Sequence, residues 1–146
     1  MKTRKVKIIV SWAAVAVCMG IIFFFSAQNG DESGNTSGSL MRLLELLNLP
    51  INEAVLRNLA HFLEFTGLAV LVFNALWQTF ERKRPFISFI ITSAYAATDE
   101  FHQLFVEGRA CTFSDWVTDS LGAASGIIML SILIYIFSCF KRGRTD

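Results

Sequence analysis

Read for runs of apolar residues, the chain divides into four long stretches separated by polar breaks. They cover residues 8–27, 59–80, 86–106 and 115–140, and a membrane-crossing helix needs roughly 20 predominantly apolar residues. The first carries no charge. The second is interrupted by His61 and Glu64, the third holds Asp99, Glu100 and His102 near its end, and the fourth has acids only in its first two turns. The pattern predicts an all-α integral membrane protein of four spans, forming a single domain over residues 1–146. Between the first two spans lies a polar, glycine-rich stretch at 29–38, followed by LMRLLELLNL at 40–49. Ten residues are too short to cross, so the latter is expected as a short helix lying in the membrane interface. Asn52 is placed to cap the helix that follows Pro50.

Composition agrees with this division. The 146 residues are 53% hydrophobic and 17% charged, against about 45–50% apolar and 25% charged in soluble domains. Disorder is excluded by the hydrophobicity, and the net charge of +1 removes any general argument for nucleic-acid binding. Three cysteines at 18, 111 and 139 make neither a disulfide framework nor a zinc-site spacing. The N-terminal run is longer than a signal-peptide core and lacks a small-x-small cleavage site, so it is expected to stay as an anchor.

The basic residues are distributed unevenly. Ten of them flank one side of the four spans (Lys2, Arg4, Lys5, Lys7, Arg82, Lys83, Arg84, Lys141, Arg142 and Arg144), with only Arg42, Arg57 and Arg109 on the other. The positive-inside rule then places both termini in the cytoplasm. The opposite, outer half holds ten of the twelve acids. A near-neutral total therefore conceals a strongly polarised molecule.

The polar residues of the spans gather in that outer half. Ser26 and Gln28 end the first span. Arg57, His61 and Glu64, spaced by four and three, share one face of the second. Asp99, Glu100 and Gln103 close the third, Arg109 lies in the connection, and Asp115 and Asp119 open the fourth, four apart. The basic residues alone set the topology, and random placement would scatter these groups. A carboxylate at the centre of a bilayer costs about 2.5–3.5 kcal/mol, and intramembrane ionisable groups mark functional sites by default. Plainer roles compete for some of them. Asp115 can simply favour the positive end of a helix, Arg57 can pair with Glu53 on the surface, and His102 points away from the Asp99–Gln103 face. Glu64 and Asp99 lie too deep for a solvated face. Gly122 and Gly126 form a small-xxx-small step that lets helices approach closely and is expected to bring Asp119 toward Asp99.

These motifs together resemble the VanZ-like family of bacterial membrane proteins over nearly the whole chain. The matching pieces are FSAQ at 25–28, RNLAHFLEF at 57–65, TDEFHQLFVEGR at 98–109 and SDWVTDSLG at 114–122. The family pattern falls on Ser26, Gln28, Arg57, His61, Glu64, Asp99, Glu100, Gln103, Gly108, Arg109, Asp115, Asp119 and Gly122. The chain departs from it at Asn58, often Lys, at Phe65, commonly Tyr, at Glu107, usually Pro, and at Asp119, often Asn. The resemblance implies an association with low-level resistance to the glycopeptide teicoplanin, in the plasma membrane of a bacterium.

Two classes of function follow as expectations. In the first, an enzyme of the outer membrane face acts on a lipid or lipid-linked envelope molecule. His61, Glu64, Asp99, Glu100 and Asp115 are then the catalytic candidates, with Asp119 in support. Arg57, Arg109, Gln103, Gln28 and Ser26 hold the substrate or its anionic group. A metal-dependent form would use His61, Glu64, Asp99 and Asp115, with Glu100 and Asp119 in reach, to hold one divalent ion. In the second class, a non-enzymatic protein uses the same groups as an ion-pair network that binds a lipopeptide or partner protein. A transporter fits poorly, because no polar path continues through the inner halves of the spans.

Overall fold

The computed structural model describes residues 2–28, 53–109 and 111–142. Among them 88% are helical and none is in a strand. Four helices run in sequence: α1 (Lys2–Ser26), α2 (Glu53–Phe80), α3 (Pro85–Gln103) and α4 (Phe113–Arg142). The interfacial helix expected at 40–49 and the Asn52 cap lie outside the described residues.

Three of the four helices, α1, Val55–Phe80 within α2, and α4, are long and apolar enough to cross a membrane. The stretch expected at 86–106 is the exception. Its helix, α3, has 19 residues, or about 28 Å at 1.5 Å per residue. It stops at Gln103, three residues earlier than the apolar pattern implied. There the helical ladder tightens into shorter bonds, Leu104 N–H to the Phe101 carbonyl (3.3 Å), Phe105 to His102 (3.0 Å) and Val106 to Gln103 (3.1 Å), as helix ends commonly do. The buried face of α3 explains its lower apolarity. Ser88, Thr92, Ser93, Ala96, Asp99, Glu100 and Gln103 turn inward, while Phe86 and Phe101 face out at 73% and 61% exposure. Small and polar side chains inside with large apolar ones outside invert the soluble-protein rule and suit a lipid surround.

Short connections set the helix directions. The turn between α2 and α3 spans only residues 81–84, with Glu81 in the left-handed region at φ 55° and its N–H bonded to the Trp77 carbonyl (2.8 Å). Pro85 then opens α3, where its missing N–H costs nothing. Arg4 near the start of α1 pairs with Glu81 (3.2 Å), and Trp12 Nε1 donates to Thr79 Oγ1 (3.0 Å). α1 and α2 are therefore antiparallel. The basic start of α1 and the basic turn after α2 (Arg82, Lys83 and Arg84) meet at one end of the bundle, called here the basic end, and the opposite end is the polar end.

The central helix is α2. On one side Phe65, Leu68, Val72 and Leu76 pack with Val15 and Ile22 of α1 and Ala96 of α3. On the other, Ala69 and Phe73 meet Ala123 and Ile127 of α4. The departure at Phe65 fits this core: its ring is fully buried, between His61 and Tyr95, where a tyrosine hydroxyl would need a partner. The expected glycine step of α4 is used against α2. A Cβ at Gly122 would run into the Phe62 carbonyl, and one at Gly126 into that of Thr66. The two backbones touch, in parallel register. Thr66 Oγ1 reinforces the seam by lying 2.7 Å from the Phe62 carbonyl and 2.9 Å from that of Gly122. α3 is tied to α1 by Tyr95 OH donating to the Met19 carbonyl (2.7 Å) and to α4 by Trp116 Nε1 donating to that of Ser93 (3.1 Å).

Candidate functional site

At the polar end the sequence-predicted residues separate into two linked groups. The first lies among α2, α3 and α4. Arg57 and His61 from α2, Glu100 and Gln103 from α3, and Asp115 and Asp119 from α4 line a cavity of about 10 Å³ together with Asn58 and Thr118, a volume that holds roughly one water-sized particle. The cavity runs from an exposed rim at Arg57 and Asn58 to a floor at Asp119, which is 0% exposed.

Asp119 sits one turn before Gly122, so the close α2–α4 seam pushes it against α2. Its Oδ1 stands 3.8 Å from His61 Nδ1. Asp99 and Glu100 are within electrostatic reach, yet it is His61 that faces it. That distance is too long for a hydrogen bond. Neither Asp119 oxygen, nor His61 Nδ1, has a hydrogen-bond partner among the described residues. Buried polar groups are normally paired, and each exception calls for a reason. These three atoms belong to residues that line one cavity.

The second group faces α1. Asp99 is buried beside Ser26, and Glu64 is within electrostatic reach of Asp99 and Arg109 rather than lining the His61 cavity. The shared α2 face expected for Arg57, His61 and Glu64 is thus divided between two neighbours. Gln103 joins the groups: its Nε2 donates to Glu100 Oε1 (3.1 Å) and reaches Asp99 Oδ2 (3.4 Å). His102 stacks on Phe23 with ring centroids 4.3 Å apart, outside the His61 cavity.

Arg109 acts as a clamp on α1. Its Nε donates to the Gln28 carbonyl (3.3 Å) and its Nη2 to that of Phe25 (3.4 Å), a favourable place for a cation at a helix C-terminus. Burial pushes the Arg109 pKa down, helped by Arg57, while Asp99, Glu100 and Glu64 act in the other direction. The arginine reaches α1 because Gly108 before it adopts φ 75°, a conformation that glycine takes without steric cost. Gln28 contributes its backbone carbonyl here.

The loop into α4 is fixed by the same residues. Glu100 Oε2 accepts the Thr112 N–H (3.2 Å). Thr112 Oγ1 accepts the Asp115 N–H (3.2 Å), an N-cap that satisfies one of the free donors of the first turn. Asp115 therefore opens the helix and lines the cavity at once. Sequence reasoning missed Asn58, Thr118 and the Thr112 cap. The spacing held a signal for the first two, since Asn58 precedes His61 by three and Thr118 follows Asp115 by three, placing each on its partner's face.

Among the described residues, no three His, Cys, Asp or Glu side chains are gathered in a way that would hold a metal ion. The divalent-ion arrangement has no geometric support. What the site offers is a half-buried imidazole facing a buried carboxylate, acceptor oxygens without donors, and a guanidinium at the rim. Such a set can move a proton and accept hydrogen bonds from a hydroxyl or ammonium group.

A family model described as VanZ/LLP1 matches residues 11–135, a stretch that includes both polar groups and the Gly122–Gly126 seam. No curated protein and no solved structure matches the chain.

Proposed function

The chain belongs to the VanZ/LLP1 family, and from that premise we propose that it is a multi-pass protein of the bacterial plasma membrane whose polar end faces outward and acts on a lipid or lipid-linked envelope molecule. All four helices cross, α3 with its small and polar face turned inward and its large apolar side chains toward lipid, and both termini lie in the cytoplasm. The basic residues at one end support that orientation. The observation that carries the reading is the His61–Asp119 pair, with its unpartnered buried atoms below an exposed Arg57. His61 serves as general base or acid, and Asp119 orients and stabilises the imidazolium, the division of labour that such pairs perform elsewhere. Arg57 receives a phosphate or carboxylate of the substrate. By family resemblance, the consequence in the cell is reduced susceptibility to teicoplanin.

The experiment is a comparison of envelope lipids by mass spectrometry, and of teicoplanin susceptibility, in cells carrying wild type, His61→Ala or Asp99→Asn protein at equal membrane levels. Lipid profiles and susceptibility that match wild type in both variants overturn the reading.

A second reading is favoured by the size of the cavity. About 10 Å³ admits no head group beyond the rim, which suits a non-enzymatic protein that binds a lipopeptide or partner protein at Arg57 and Asn58. Charge exchange discriminates: if swapping Arg57 and Asp115 restores full activity lost in the single variants, placement of charge matters and proton transfer does not.

A further inference from the structure

A second hollow lies at the other end of the bundle, remote from the His61 site. Thr3, Arg4 and Lys7 of α1 and Trp77 and Gln78 of α2, with Glu81, line an open surface hollow of about 360 Å³. The antiparallel pairing of α1 and α2 creates it, because the charged start of one helix meets the last turn of the other. At its wall Arg4 donates to the Thr79 carbonyl (3.2 Å) and forms an exposed pair with Glu81 (3.2 Å). Glu81 is thereby neutralised. Lys7 makes no ion pair among the described residues. The Lys83 ammonium lies 5.6 Å above the Trp77 ring, adding a second positive group at the edge. Thr3 and Gln78 supply neutral donors.

Depth in the membrane decides what such a hollow meets. The apolar run of α1 begins at Ile8 and that of α2 ends at Phe80, so Lys7 and Trp77 stand where hydrocarbon gives way to head groups. Tryptophan is enriched at that level, and basic pockets between helices there take anionic head groups. We infer that this hollow is a binding site for the phosphate head group of an anionic membrane phospholipid, held by Lys7 and Lys83, with Trp77 at the head-group level beside them. The inference requires that α1 and α2 cross the membrane and is independent of any chemistry at His61.

Native mass spectrometry of the full chain in detergent, with equal amounts of phosphatidylglycerol and phosphatidylcholine, tests it. Wild type is expected to retain phosphatidylglycerol in preference. Lys7→Gln and Lys83→Gln should each lower that preference about fivefold, the effect of one basic group near a charged lipid surface. Both lysines are exposed, and circular dichroism checks that the variants stay helical; the wild-type comparison stands even if one does not. Lys141→Gln, at the same end on α4, should leave the preference unchanged. Equal retention of the two lipids by wild type, or an equal loss in Lys141→Gln, overturns the site. Glycerol 1-phosphate forms the second arm: if millimolar amounts displace the lipid, the hollow takes a free phosphate ester and the lipid assignment fails.

Discussion

His61 Nδ1 and Asp119 Oδ1 face each other at 3.8 Å across the seam of α2 and α4, and no described group stands closer to either as a hydrogen-bond partner. The pair forms because Gly122, one turn along α4, brings the two backbones into contact at Phe62, the residue next to His61. A packing device and a chemical one are thus built from the same turn.

If the two residues act as a unit, their substitutions should not add. Asp119→Ala removes the carboxylate, and is expected to lower activity about as far as His61→Ala, with the double variant no worse than the lower single, since groups that work together are non-additive. Teicoplanin susceptibility and lipid profiles at matched membrane levels provide the measurement. Independent, additive losses would separate the two residues' roles.

The seam itself makes a stability prediction. Gly122→Ala and Gly126→Ala force a Cβ onto the carbonyls of Phe62 and Thr66, and overpacking of this kind costs about 1–3 kcal/mol. Gly20 and Gly67 have open space at the same position, so Ala there should be neutral or stabilising by up to about 1 kcal/mol, the intrinsic helix preference. Thermal unfolding of the four variants in one detergent orders them.

Removal of the Arg109 clamp should loosen one helix end. Arg109→Ala deletes the donors to the Phe25 and Gln28 carbonyls, where hydrogen bonds from a charged group are worth about 1.5–3 kcal/mol. Hydrogen exchange is expected to rise in the last turn of α1 and to stay unchanged around Gly122 and Gly126. Protection lost equally in both places would mean that Arg109 supports the whole bundle.

The proposed orientation can be read from the cysteines. Cys111 is exposed at the polar end and Cys139 at the basic end, whereas Cys18 is half-buried in α1. A membrane-impermeant maleimide should label intact cells at Cys111 alone, with Cys111→Ser abolishing the signal. Labelling that depends on Cys139 instead would invert the topology.

Much of this protein is written in its order of residues. Uninterrupted apolar runs identify α1 and α4 without any structural knowledge, and the ten basic residues on one side separate a basic end from a polar one. The four quoted motifs mark the polar end and the family. Even the contact step at Gly122 and Gly126 is visible, because close helix approach in lipid needs small residues. What the order of residues leaves open is which neighbour each face meets. Spacing puts Arg57, His61 and Glu64 on one side of α2, but the bundle turns His61 to Asp119 and Glu64 toward Asp99 and Arg109. Arg109 reads as an anion holder, and in the fold it closes the end of α1, because Gly108 turns it there. The apolar stretch at 86–106 loses its last turn for a similar reason, as Gln103 and the tightened ladder after it serve the site. A helical repeat defines a face by local geometry alone. The partner of that face depends on contacts between segments far apart in the chain, and in lipid no difference in hydrophobicity between neighbouring helices selects it in advance.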